Sequence, residues 1–190
     1  MQIKVLCFII CMGLTSFFAF AQEDHPPPET VAHVDLNKFS GKWYEIARLR
    51  LPWERECALN TTVTYTVQSD TSMSIATQCH ETSGFDSTEK AQGTAVILDT
   101  KTHAKWKVSF PPVPRLKWIY SGEYWVIQLA DDYSYTVLAT PDQKHLWILS
   151  RTPNLPEEVY QQILDKTGLQ MLSVNILNIL RTEQNPNKPE

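Results

Sequence analysis

The sequence lacks most of what common chemistries require. It contains no G-x-S-x-G elbow and no Gly-rich phosphate loop, which excludes the usual serine-hydrolase and nucleotide-binding constellations. Its five histidines, at 25, 33, 80, 103 and 145, include no pair at helical metal-ligand spacing. Cys79-His80 with Cys57 would supply three ligands where a structural zinc needs four, so neither a metal nor a cofactor is expected. No basic patch is present, and a mildly acidic chain without one is a poor partner for nucleic acid. Beyond residue 21, no apolar run approaches the ~18 to 20 residues a spanning helix needs. Cysteine is scarce, and two of the four, Cys7 and Cys11, lie inside the first apolar run.

That run has a recognisable purpose. Lys4 is the one charge in the first 22 residues, an apolar stretch over 5–20 follows, and Ala19-Phe20-Ala21 offers a small-x-small exit. The pattern is that of a cleavable secretory signal over 1–21. Cys7 and Cys11 follow Leu6 and Ile10 rather than small residues at the end of the run, so lipidation is not expected. Removing Lys4 from the 17 Lys and Arg leaves 16 against 21 Asp and Glu, a net charge of −5. Export places Cys57 and Cys79, 22 residues apart, in an oxidising compartment, where a disulfide between them is expected.

The mature chain reads as one domain over 34–180, preceded by an extended leader over 22–33 that holds Pro26-Pro27-Pro28, and followed by a loose polar tail over 181–190. Its middle is β-structure. Residues 61–67 alternate Val63, Tyr65 and Val67 against Thr62, Thr64 and Thr66, a period of two. Strands are also expected over 43–48, 73–79, 91–98, 105–110, 122–129, 133–140 and 145–151, with turn residues between them. One helix follows. Asn154 is placed to cap it, Pro156 suits its first turn, Glu157 and Glu158 favour its positive end, and Gly168 ends it. Eight sequential antiparallel strands suggest an all-β, up-and-down barrel with the C-terminal helix on its wall, because closure removes the sheet edges. A sandwich is the competing architecture. Leu146-Trp147-Ile148-Leu149 lacks polar alternation, as a strand covered on both faces should.

At these residues the sequence resembles the lipocalins, and within them the bacterial outer-membrane lipocalin and apolipoprotein D group. Gly41-Lys42-Trp43-Tyr44-Glu45-Ile46-Ala47 is similar to the G-x-W segment of the first strand, and Asp132-Tyr133-Ser134-Tyr135 to the turn before the seventh. The run from Leu146 to Pro153 is similar to the segment ending the eighth strand with an Arg. The resemblance implies that Arg151 lies across Trp43 as a structural plug at one end of the barrel, worth roughly 0.5–2 kcal/mol as a cation–π contact. It also implies binding of fatty acids or lysophospholipids in envelope maintenance, in a periplasmic or secreted protein.

The candidate ligand residues are Glu45, Tyr65, Val67, Trp106, Val108, Phe110 and Tyr135. They belong to strand faces that, turned inward, would make an aromatic apolar cup. Glu45 would then either orient a head group or hydrogen-bond at the barrel base. The sequence leaves the parity open, since Trp125, Ile127 and Leu129 compete with Tyr124 and Val126 for the inside of one strand. The cup could also be filled core. A carrier of haem or another pigment is the alternative, with His80 or His145 as the imidazole, and an isomerase on the same barrel is a third reading. Peripheral attachment to an outer membrane and a homodimer both stay open.

Overall fold

The computed structural model describes residues 25–49, 57–81, 88–111, 120–171 and 174–185. The expected signal and its cleavage site lie outside the described residues. Among those described, a short helix α1 (Leu36–Phe39) precedes eight strands: β1 (Gly41–Leu49), β2 (Cys57–Ser69), β3 (Ser72–Glu81), β4 (Thr88–Ile97), β5 (Lys105–Ser109), β6 (Gly122–Leu129), β7 (Tyr135–Ala139) and β8 (Leu146–Ser150). Helix α2 (Glu157–Gln170) and a ninth strand, β9 (Ile179–Arg181), complete the chain. From β1 to β8 each strand pairs antiparallel with the next, and β1 pairs with β8 as well, so the sheet closes into the expected barrel, with β9 paired to β1.

Two β-bulges set what faces the interior. On β1 the register shifts between Glu45 and Ala47. Ile46 and Ala47 therefore both pack outward against α2, while Glu45 and Arg48 both turn inward. On β6 the shift falls between Val126 and Gln128. Tyr124, Val126 and Leu129 join the interior, and Ile127 joins the α2 side. Gln128, 1% exposed, follows Ile127 outward, and its Nε2 donates to Thr167 Oγ1 at 2.9 Å and to Ile163 O at 3.3 Å on α2. The bulge thus resolves the parity that the sequence left open.

The wall behind α2 is apolar: Ile127, Val137, Ala139, Leu146 and Ile148 meet Tyr160 and Ile163. This is why β8 lacks polar alternation, with Trp147 and Leu149 facing in and Leu146 and Ile148 facing out. Two helix details differ from expectation. Pro156, not Asn154, occupies the N-cap, with no side-chain cap bond, because its fixed φ already suits the entry. Gly168 lies within α2, which ends two residues later where Met171, fully buried, anchors the chain.

Both ends of the domain are tied down further than the sequence suggested. In the leader, Pro28 is buried, Val31 N donates to Val126 O, and Gln143 Nε2 donates to Pro26 O. The expected loose tail begins too early, at 181. Arg181 still belongs to β9, which pairs with β1, and Asn60 N donates to Glu183 O beside a parallel bridge from Leu59 to Glu183. Residues 179–185 therefore run between β1 and β2 where those two strands part. Backbone pairing outweighs the polar composition there. Among the described residues no helix is long and apolar enough to cross a membrane.

Candidate functional site

Among the described residues, the barrel is closed at one end. Near the start of β1 the floor is aromatic: Phe39 meets Trp43, Tyr65 and Trp106 at ring-centroid distances of 4.9, 5.3 and 5.0 Å. Arg151 lies over Trp43 with its guanidinium carbon 3.7 Å from the ring centroid. Its Nη1 donates to Lys42 O, and its Nη2 to Lys38 O, Phe39 O and Ser40 O, between 2.6 and 3.0 Å. Three of those carbonyls, of Lys38, Phe39 and Ser40, are ones that the end of α1 leaves without helical partners, and the fourth belongs to β1, so one cation ties α1 to β1 across the floor.

Above the floor a hollow of about 600 Å³, counted with the space at its mouth, lies between the strands. Tyr65, Ile75, Phe110, Leu138, Trp147 and Leu149 make most of its apolar wall. Tyr124 stacks on Trp147 at 4.6 Å, and Tyr120 lies 3.9 Å from the His145 ring. Burial raises the Tyr65 phenol well above its ordinary value, which keeps this group uncharged.

One polar cluster interrupts the wall. Arg48 Nη1 donates to Glu45 Oε1 at 2.5 Å, with both side chains under a tenth exposed. Arg48 Nη2 also donates to Cys57 O, and Thr182 Oγ1 donates to Glu45 Oε1 at 2.5 Å. The bulge at Ile46 makes the pair, since residues three apart on a regular strand face opposite sides. Cys57 is joined to Cys79 with Cα atoms 5.5 Å apart, the expected disulfide, which fixes the carbonyl that Arg48 holds.

The structure brings together some of the residues singled out from sequence and separates others. Glu45, Tyr65 and Phe110 line the hollow. Val67, Trp106 and Val108 face inward but belong to the packed floor. Tyr135 does not face inward: it packs on the α2 side with Val137 and Ala139, while Leu138 supplies the β7 wall. The residues of β7 that carry the apolar face toward α2 are the odd-numbered ones, so the aromatic content of the strand was a misleading guide. Arg48, Thr61, Tyr120 and Trp147 line the hollow without having been singled out. For Arg48, a cation set between the apolar Ala47 and Leu49 was the available signal. Neither His80 nor His145 lines the hollow, and no metal-holding cluster of His, Cys, Asp or Glu occurs among the described residues.

Comparison with known proteins gives concordant results. The family model described as a lipocalin-like domain matches residues 34–180. Temperature-induced lipocalin-1 of Arabidopsis thaliana is 31% identical over 164 residues, covering 85% of this chain and 86% of the relative. The outer membrane lipoprotein Blc of Vibrio cholerae is 35% identical over 169 residues, covering 85% and 84%. Among solved structures, insecticyanin of the tobacco hornworm aligns with a TM-score of 0.65 at 20% identity, over 85% of this chain and 86% of that one. The amine-binding protein of Rhodnius prolixus, solved with tryptamine, aligns at 0.57 and 18% identity, over 82% and 84%.

Proposed function

This chain belongs to the lipocalin-like family, and from that premise we propose that it is a non-catalytic carrier of a single-chain lipid, held one per barrel. The observation that carries the reading is the hollow itself, closed at one end by Phe39, Trp43 and Trp106 and walled above by aliphatic and aromatic side chains. Fatty acids and lysophospholipids share the feature this wall suits, one flexible chain, and burying it is worth roughly 0.8 kcal/mol per methylene. The one carboxylate among the described lining residues, Glu45, is already engaged by Arg48 and Thr182, which supports carriage over an isomerase. The haem alternative needs a His or Tyr aimed inward: His80 and His145 lie outside the lining, and of the tyrosines that line it, Tyr65 is held uncharged by burial and Tyr124 already donates to Tyr120 O. Relatives named as outer membrane lipoproteins support export to an envelope compartment, with peripheral attachment to the outer membrane.

Two measurements test this. Organic extraction of the purified protein followed by mass spectrometry should release a single-chain lipid. Titration of delipidated protein with an environment-sensitive acyl probe should saturate at one site per chain. Absence of saturable binding in a folded sample would end the carrier reading.

A further inference from the structure

Among the described residues six large apolar side chains are exposed, and four of them lie within 169–180: Leu169 at 82%, Leu177 at 85%, Ile176 at 37% and Leu180 at 38%. Leu169 stands near the end of α2, while Ile176 and Leu177 belong to a short 3-10 helix, Ile176–Asn178, that leads into β9. The two helices meet, since a Cβ on Gly168 would lie 3.7 Å from the Ile176 side chain. Leu177 is held where it is. Asn175 Oδ1 accepts from its N–H at 2.9 Å, and the buried Met171 anchors the turn before it, with its carbonyl accepting from Val174 N at 3.1 Å. Charge along this segment has one sign. The chain carries 21 Asp and Glu, yet none falls within 166–182, where the charged residues are Lys166 and Arg181. Arg181 is engaged by Glu157, and Lys166 is exposed. Ile179 pairs with Leu49, at the end of β1 opposite the aromatic floor, so the 3-10 helix lies at that end of the barrel.

We propose that this corner of α2 and the 3-10 helix is a docking surface for a bilayer carrying anionic phospholipid, with Leu169 and Leu177 inserted at the acyl boundary. The proposal rests on the carrier reading for its purpose, since a carrier must meet the membrane it loads from or delivers to. A second copy of the chain fits the patch poorly. Burying one leucine removes at most about 120 Å² from water, so four such side chains offer about 500 Å². A stable dimer needs about 800 Å² from each partner. A bilayer sets no such minimum, because binding grows with each apolar group inserted. The missing carboxylates point to the same partner. An Asp or Glu among the leucines would be repelled by anionic head groups and would cost desolvation, whereas Lys166 attracts them and can lay its apolar stem along the surface. Docking by this corner brings the barrel end opposite the floor beside the lipid.

Co-sedimentation of the protein, in its exported form, with lipid vesicles tests the proposal. Vesicles of phosphatidylcholine and phosphatidylglycerol should bind it more tightly than vesicles of phosphatidylcholine alone, and added salt should shrink that difference. Leu169→Gln with Leu177→Gln should lower partitioning onto the mixed vesicles at least about tenfold. Its melting temperature should not change, because both side chains are exposed in the folded protein. Lys166→Gln should lower partitioning about fivefold on mixed vesicles and leave binding to phosphatidylcholine as it is. Acyl-probe binding in solution should be the same in all three proteins, because none of the substituted residues lines the hollow. A folded double variant that partitions as well as wild type would overturn the proposal. A concentration-dependent dimer that the double variant abolishes would also overturn it and give the patch to a second copy. Wild type that binds the acyl probe but neither kind of vesicle removes the docking surface and leaves the carrier reading standing. Vesicle binding without probe binding ends the carrier reading and leaves the surface.

Discussion

Replacing Arg151 by alanine should unfold the protein at markedly lower denaturant while leaving ligand affinity per folded molecule nearly unchanged. Two contributions are lost. The contact with Trp43, at 3.7 Å from guanidinium carbon to ring centroid, is worth about 1 kcal/mol at a half-buried site. Four carbonyls, those of Lys38, Phe39, Ser40 and Lys42, lose a charged donor. Water replaces part of that donation at a half-buried site, so each loss is set at about 0.5–1 kcal/mol, below the range for buried charged bonds. The total is about 3–5 kcal/mol. With a urea m-value of about 2 kcal/mol/M for a domain of this size, the midpoint should fall by about 2 M. Arg151→Lys should recover less than half, because an ammonium cannot serve four carbonyls and a ring with one planar fork. Urea titration followed by Trp fluorescence reads the first effect, and probe titration below the transition reads the second. A midpoint loss under about 0.5 M, or a weakened site in a fully folded sample, would refute the assignment of Arg151 to the floor.

The remaining predictions concern other parts of the barrel. Cys57→Ala with Cys79→Ala should cost about 3 kcal/mol in the loop-entropy view and keep probe binding, read by thermal melts and titration. Gln128→Ala should cost about 2 kcal/mol by leaving Thr167 unpaired behind α2, whereas Gln128→Met with Thr167→Val should stay within about 1 kcal/mol of wild type in urea. Gly93→Ala should weaken probe binding and stability together, since a Cβ there would sit 2.6 Å from both the Phe110 ring and Ser109 O. Burial lowers the pKa of His145, with Asp142 opposing and Lys144 adding to the shift. Below the ordinary value of 6.5 the unfolded chain therefore takes up the proton first, and stability declines as pH falls from there to the depressed folded value. His145→Phe should flatten that part of the stability curve, and equal slopes in the two proteins would count against it.

The strands were legible because their residues alternate, and β2 shows it best: Val63, Tyr65 and Val67 face in, as the period of two requires. The Trp43–Arg151 contact came from the resemblance, not from periodicity, since the two residues lie at opposite ends of the strand order. What composition could not reveal are the two bulges. A single extra residue at Ile46 decides that Glu45 and Arg48 meet inside the barrel, and another at Ile127 decides which residues of β6 face the interior. No residue type marks either position. The same gap explains Tyr135, whose strand face depends on where α2 packs. Trp106 illustrates a further limit: it faces inward as expected, yet Phe39 from α1 covers it, and a four-residue helix is too short for a sequence pattern to announce. Asn60-Thr61-Thr62 reads as a glycosylation acceptor in a host that glycosylates, but Asn60 is buried with its Oδ1 accepting from Asn185 N at 2.6 Å, so the folded barrel does not present it.

The central claim is that the hollow between Tyr65, Phe110 and Trp147 is where a lipid chain lies. Val63 lines the same space from β2. Val63→Trp would fill it with an indole while keeping an apolar side chain on an apolar face. Titrating this variant with the acyl probe, beside wild type and with the fold verified by circular dichroism, tests the claim most directly. The account predicts saturable one-to-one binding by wild type and at least a tenfold loss, about 1.4 kcal/mol, in the filled variant. Unchanged binding by a folded Val63→Trp protein would place the ligand elsewhere and contradict it.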